Sequence, residues 1–201
     1  NDPDYESLLL FGKDNPNNKN INYKAKYNFN AKQLATWFIP FGKDINGKKK
    51  YMPFFPTLFF HLLKQKPDVV LCEGASGLPN AIIIKIFCAL FRKKMIFWSL
   101  GKVPDKKYSK ARNIFDWLIN KLEISSDAIF AYSSLAKQYF IKRGVPEERI
   151  FIGVNVIDTN RKLKEIEIWG PQVINEKGVF KVLFVGAIIK EKRLEILLDA
   201  F

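Results

Sequence analysis

Histidine and cysteine are nearly missing from this 201-residue chain, which holds one His and two Cys. That scarcity excludes a disulfide scaffold and a Cys/His zinc cluster, and leaves His61 as the sole histidine for any Ser-His-Asp arrangement. Long apolar runs are also lacking. The longest, Ala81–Phe91 (AIIIKIFCALF), has 11 residues and is interrupted by Lys85, short of the roughly 18–20 that span a bilayer. Acidic residues are few: 20 Asp and Glu face 33 Lys and Arg, a net charge of +13. That excess points to an anionic partner, whether a phosphorylated ligand, a nucleic acid or an acidic membrane surface. Apolar residues, by contrast, are plentiful. At 48% hydrophobic and 26% charged, the chain is expected to bury a packed core, and intrinsic disorder is excluded.

The length suits one full domain and part of another. The opening NDPDYES is acidic and does not read as a signal peptide. The last residues, LEILLDAF, lie inside an apolar helical pattern without a capping residue, so the chain is expected to be a piece of a longer protein.

Ser7–Phe11 (SLLLF) suits a buried strand, 12–22 is a polar turn-rich loop, 32–38 is ambiguous, and 42–50 is a second, basic loop. A helix is expected over about Pro56–Lys66, with Pro at its start where a missing N–H costs nothing. From there strands and helices alternate. Strands are expected at Val69–Cys72, Met95–Leu100, Ala128–Ala131 and Ile150–Val154. Helices fall at Asn80–Arg92, about Ser109–Ile124 (Phe115, Leu118, Ile119 and Leu122 on one face), and Ser134–Arg143, capped by Ser133. Continuously apolar strands alternating with helices predict a parallel sheet covered on both faces, a doubly wound α/β Rossmann-like domain. Residues 159–178 mix charges with Trp169, Gly170 and Pro171 and have no sustained period, so an interdomain linker is expected there. Lys181–Val185 reads as a fresh buried strand, followed by a Gly186 turn and a helix from Arg193, the first βα unit of a second such domain. The expected division is therefore 1–158, linker 159–178, and 179–201.

In an open parallel sheet, ligands bind beyond the carboxyl ends of the strands. Three loops leave such ends: Glu73-Gly74-Ala75-Ser76-Gly77, Ser99-Leu100-Gly101-Lys102, and Tyr132-Ser133. Turns need small and polar residues in any case, so each loop alone is weak evidence. Their common placement suggests one cleft lined by Glu73, Gly74, Ser76, Ser99, Gly101, Lys102, Tyr132 and Ser133. The Ala81–Phe91 helix reads either as a core helix packed on the sheet or as a membrane-facing one, given Arg92, Lys93 and Lys94 immediately after it. The triple Lys48–Lys50 and the pair Lys106-Lys107 read as solvated faces or as contacts to an acidic bilayer. His61 sits among Leu58, Phe59, Phe60 and Leu62 and reads as structural, while Cys72 and Cys88 read as buried thiols of a reducing compartment.

The run Ser125–Ser133 (SSDAIFAYS), then Gly144-Val145-Pro146 and Ile150–Asp158 (IFIGVNVID), resembles the family-4 GT-B glycosyltransferases. Their pattern of "aDaii..S", "gv…kI.vi.NGvD" and "ilfvGrl…KG…ll.Af" continues here as Val182-Leu183-Phe184-Val185-Gly186, Lys192 and Leu194–Phe201. The likeness covers about Pro67–Phe201, and the order of the motifs is more specific than any one of them. It implies a two-domain enzyme, in most members retaining, that moves a sugar from a nucleotide-sugar donor to a saccharide or lipid-linked acceptor in envelope polysaccharide or glycolipid synthesis. The N-terminal domain would hold the acceptor and the C-terminal domain the donor. Gly186, Lys192, Asn155 and Asp158 match donor-side positions. Ala187 stands where the family has an Arg on the donor diphosphate, with Lys190 or Arg193 as substitutes; a cation there would meet charge developing on the leaving group.

Other departures are Val156 for the usual Gly, and Ser99, Gly101 and Lys102 where many members carry a His, so no catalytic side chain is identified. The family's Gly-rich loop after its first strand is not visible, and its paired-Glu motif lies beyond Phe201. The resemblance implies no metal and no cofactor besides the nucleotide-sugar substrate, and a cytoplasmic enzyme peripheral on the inner face of the membrane. On this reading the 201 residues alone are inactive. The alternative is a basic nucleic-acid-binding α/β domain. Against it, no nucleic-acid motif is present and the basic residues are scattered over many loops. A related GT-B epimerase is a third reading, less favoured because of the Asn-x-x-Asp pattern at Asn155 and Asp158.

Overall fold

A computed structural model describes residues 5–14, 29–43, 49–74, 77–101, 110–154, 159–170, 181–186, 188 and 192–200. The chain divides into two compact units, Asn1–Asn155 and Val156–Phe201.

The first unit is built on a four-stranded parallel sheet in the order β5 (Val69–Glu73), β6 (Lys94–Ser99), β7 (Ala128–Ala131), β8 (Ile150–Ile152). Its crossovers are α2 (Leu78–Phe91), α3 (Lys110–Ile124) and α4 (Ser134–Ile141). This is the parallel α/β architecture expected from the alternation of apolar runs. Consecutive strands add in one direction, and right-handed crossovers then place every connecting helix on the same side. The register shows it. Cys72, Phe97, Ile129 and Ile150 form one cross-strand row. All four are buried, under Ala81, Ile84 and Phe87 of α2 and under Ala136 and Phe140 of α4. The next row, Glu73, Trp98, Phe130 and Phe151, faces the other way and is only partly covered. Among the described residues the sheet is thus helix-covered on one face, where the sequence predicts helices on both. The strands carry that difference as alternating burial rather than uniform burial.

Local chemistry sets the element ends. Pro79 occupies the first turn of α2, where its lack of an N–H removes no helical bond. Ser133 Oγ accepts the Ala136 N–H at 3.2 Å and caps α4, as expected. Asp127, the acidic residue of the "aD" motif, accepts the Met95 N–H at 2.9 Å and pairs with Lys94 at 2.9 Å. It therefore ties the start of β7 to the start of β6. Burial would raise the Asp127 carboxyl, but the Lys94 ammonium and the Met95 N–H outweigh it and hold the pKa below the usual carboxylate range. Arg149 closes the end of α3 by donating to the carbonyls of Ile124, Ser126 and Asp127.

Several expected elements differ. β1 (Leu8–Phe11) pairs in parallel with β2 (Asn30–Gln33) in a separate two-stranded sheet and is half-exposed rather than buried. An antiparallel hairpin, β3 (Trp37–Lys43) and β4 (Lys49–Phe54), takes up the end of the ambiguous stretch and both ends of the second basic loop, whose residues 44–48 lie outside the described residues. Pro40, Gly42 and Pro53 had disguised its two-residue period. The hairpin is anchored through Asn80 of α2, whose amide accepts the Phe55 N–H and donates to Pro53 O, both at 2.9 Å. α1 (Leu58–Gln65) packs beside α2, with His61 on it; burial and the Lys32 and Lys64 charges lower the imidazole pKa. Leu118, expected on the inner face of α3, is exposed, while Phe115 and Ile119 are buried.

In the second unit α5 (Thr159–Trp169) occupies half of the stretch expected to be aperiodic. Its Lys- and Glu-rich sequence has high helix propensity, and Lys162 pairs with Glu165 at 2.6 Å. The expected strand at 181–185 forms no ladder among the described residues, and all five residues are exposed. A strand exists only through its partner, and no described segment supplies one. α6 (Leu194–Asp199) stands within the expected helix.

Candidate functional site

The carboxyl ends of β5 and β6 meet around a carboxylic acid that is not among the residues expected from sequence. Glu123 on α3 is 3% exposed. Its Oε1 accepts the Ser99 hydroxyl at 2.5 Å, and Ser99 Oγ in turn accepts the Gly101 N–H at 3.1 Å. Gly74 closes the third side. A Cβ on Gly74 would stand 3.1 Å from Glu123 Oε1 and 3.2 Å from Ser99 Oγ, tighter than ordinary packing, so the strand end comes this close because it lacks a side chain. Gly101 is required twice over: its φ is +69°, and a Cβ would fall 2.9 Å from Tyr139 Cδ1.

Burial pushes the Glu123 carboxyl up, to about 7. The Ser99 hydrogen bond and the Arg143 charge pull the other way, and Asp116 adds to the rise. Polar groups continue between α3 and α4: Tyr139 donates to Asn120 Oδ1 at 2.9 Å, and the Arg143 guanidinium lies over the Tyr139 ring at 4.8 Å. On the neighbouring strand the same desolvation pushes the Cys72 thiol to about 12, which makes it inert, as expected of a buried cysteine. Among the described residues no group of His, Cys, Asp and Glu could hold a metal ion.

The expected cleft residues therefore divide. Gly74, Ser99 and Gly101 come together around Glu123 on the helix-covered face. Glu73 and Tyr132 belong to the opposite face: Glu73 is exposed in register with Trp98, and the Tyr132 ring stacks on Trp98 at 4.9 Å and 12°. Trp98 Nε1 donates to Gly153 O at 3.0 Å, which ties β6 past β7 to the end of β8. Ser133 Oγ serves the α4 cap. Ser76 and Lys102 lie outside the described residues, as do Asn155, Asp158 and Lys190 on the expected donor side. Gly186 and Lys192 belong to the second unit, where both are exposed. A Cβ on Gly186 would meet the Phe184 ring at 3.0 Å.

Glu123 had a readable signal. It lies four residues after Ile119 on the buried stripe of α3, so an acid there is an inward-facing charge on an otherwise apolar face.

No family model matches the chain, and no curated protein does either. Solved structures similar in fold include the UDP-GlcNAc 2-epimerase of Neisseria meningitidis bound to UDP-GlcNAc, 16% identical, with a TM-score of 0.46 over 80% of this chain and 49% of that one. Anabaena Alr3699/HepE in complex with UDP is 13% identical, with a TM-score of 0.41 over 66% of this chain and 32% of that one. The UDP-GlcNAc 2-epimerase of Methanocaldococcus jannaschii is 24% identical, with a TM-score of 0.36 over 47% and 25%. The chain spans between a quarter and about half of the length of these proteins.

Proposed function

We propose that this chain is the acceptor-side lobe, with the opening of the donor-side lobe, of a GT-B enzyme that transfers a sugar from a nucleotide-sugar to a saccharide or lipid-linked acceptor. One observation carries the reading. The loops after β5, β6 and β7 leave the same edge of a parallel sheet, and the segments that resemble the family-4 motifs run on from β7 in the family's order. That edge is where an open α/β sheet receives a ligand, because strand ends, helix N-termini and loop amides converge there. The donor diphosphate is assigned to Gly186, Lys192, Lys190, Asn155 and Asp158, and the acceptor to the β5–β7 loops. Lys192, exposed and preceded by a Gly turn, can reach a phosphate oxygen and stabilise charge on the departing nucleoside diphosphate.

The enzyme works against a membrane surface in this reading. Among the described residues no helix is long and apolar enough to cross a bilayer. Yet Ile82, Ile86, Leu90 and Phe91 leave the outer face of α2 apolar, with Leu90 65% exposed, and Arg92, Lys93 and Lys94 follow. Apolar residues beside cations suit the boundary between headgroups and acyl chains, at about 1 kcal/mol per basic residue near an anionic surface.

The test supplies UDP-, GDP- and ADP-sugars with and without saccharide and lipid-linked acceptors. It is run on the 201-residue chain and on a version extended through the continuing reading frame. Acceptor-dependent release of nucleoside diphosphate by the extended protein, and none by the short chain, is expected. Turnover by the short chain, acceptor-independent epimerisation of the donor sugar, or a continuation without a second nucleotide-binding lobe would overturn the assignment. Tight retention on nonspecific DNA with a steep salt slope would favour the nucleic-acid alternative instead.

A further inference from the structure

We infer that Glu123 is a positioning residue at the ends of β5 and β6: through Ser99 it sets the Gly101 turn, and it stands against the Gly74 backbone. The inference rests on the acceptor position proposed at that edge, but its test needs no ligand and can fail while that position stands.

The geometry brings Glu123 and Ser99 together against both strand ends. Its Oε1 holds the Ser99 hydroxyl at 2.5 Å and stands where a Gly74 side chain would be, while Ser99 Oγ receives the Gly101 N–H at 3.1 Å. A serine hydroxyl that donates strongly becomes a better acceptor, so ionisation of Glu123 tightens the Gly101 bond as well as its own. Gly101 cannot relax away from this arrangement, because its left-handed backbone already lies against the Tyr139 ring. The groups bearing on the carboxyl are few. They are Asp116 on α3, Tyr139 on α4, Arg143 in the turn after α4, Cys72 on β5 and Ser99 on β6. Of these, Asp116 disfavours the ionised carboxyl, while the Arg143 charge and the Ser99 hydroxyl favour it.

One measurement on the full chain decides the matter. Backbone amide shifts of Gly74 and Gly101 are followed by NMR from about pH 5 to pH 9 in wild type, Glu123→Gln and Ser99→Ala. Both amides are expected to titrate together near neutrality in the wild type and to stop doing so in Glu123→Gln. In Ser99→Ala the Gly101 response is lost while Gly74 still responds. A wild type without the transition, or a transition that survives Glu123→Gln, overturns the positioning role.

Discussion

Replacing Glu123 by Gln removes the charge and keeps the shape, so it isolates what burying an ionisable acid costs this fold. In the folded chain the carboxyl pKa stands at about 7, against an ordinary value of 4.5. Between those values the folded protein holds a proton that the unfolded chain has released, so stability falls as pH rises through the interval. Linkage puts the loss between about pH 5 and pH 8 near 2.5 kcal/mol, most of the roughly 3 kcal/mol that the full pKa difference represents. His61 acts oppositely, because its lowered pKa makes stability rise as pH passes through the imidazole range. Comparing variant with parent cancels that contribution. The assay is urea unfolding monitored by far-UV circular dichroism at several pH values, with Glu123→Gln and wild type measured in parallel. The variant should be near parity at pH 5 and more stable by about 2 kcal/mol at pH 8, the remainder being the cost of an extra amide N–H₂ beside Gly74. Parallel pH curves for the two proteins would refute the reasoning, because they would mean that the carboxyl is not desolvated in solution.

Gly101→Ala should cost about 1–3 kcal/mol by the same unfolding assay, since it combines a left-handed backbone with a Cβ driven into the Tyr139 ring. A neutral result would show that the turn is not held against α4. If the proposed donor site is right, Lys192→Ala in the extended enzyme should lower kcat/KM by about 2–4 kcal/mol in transition-state terms. Unchanged kinetics would remove Lys192 from the site. Co-sedimentation with vesicles should show binding to phosphatidylglycerol but not to phosphatidylcholine, weakened by salt and by Leu90→Glu on the exposed face of α2. Equal binding of wild type and Leu90→Glu would place the membrane contact elsewhere.

Much of the first unit was legible because its strands are short apolar runs and its helices carry their own punctuation. β7 falls on Ala128–Ala131 as expected and Ser133 caps α4, while Pro79, expected at the end of the preceding loop, lies in the first turn of α2. These are local devices whose effect does not depend on what packs against them. The β3–β4 hairpin was not legible, since prolines and a bulge between Pro40 and Lys43 break the alternation that would announce it. Charged α5 was also missed: Leu163 and Ile166 share a face, but Ile168 falls off it and all three are exposed, so propensity and an ion pair rather than a buried stripe hold the helix.

The site divides along the same line. Which loops follow which strands is a matter of chain order, so Gly74, Ser99 and Gly101 could be named from sequence. Their grouping around one acid, and the turning of Glu73 and Tyr132 to the opposite side, come from register and crossover hand. Those are long-range properties. A carboxyl on α3 becomes a near-neutral acid only when a strand from 24 residues earlier places a hydroxyl against it and a glycine 49 residues earlier leaves room, and no local pattern of residues encodes that meeting. Composition and periodicity determined a basic parallel α/β chain whose strand-end loops leave one edge of the sheet. Tertiary packing decided which of those loops share a buried proton, because desolvation belongs to the assembled surroundings and not to the residue.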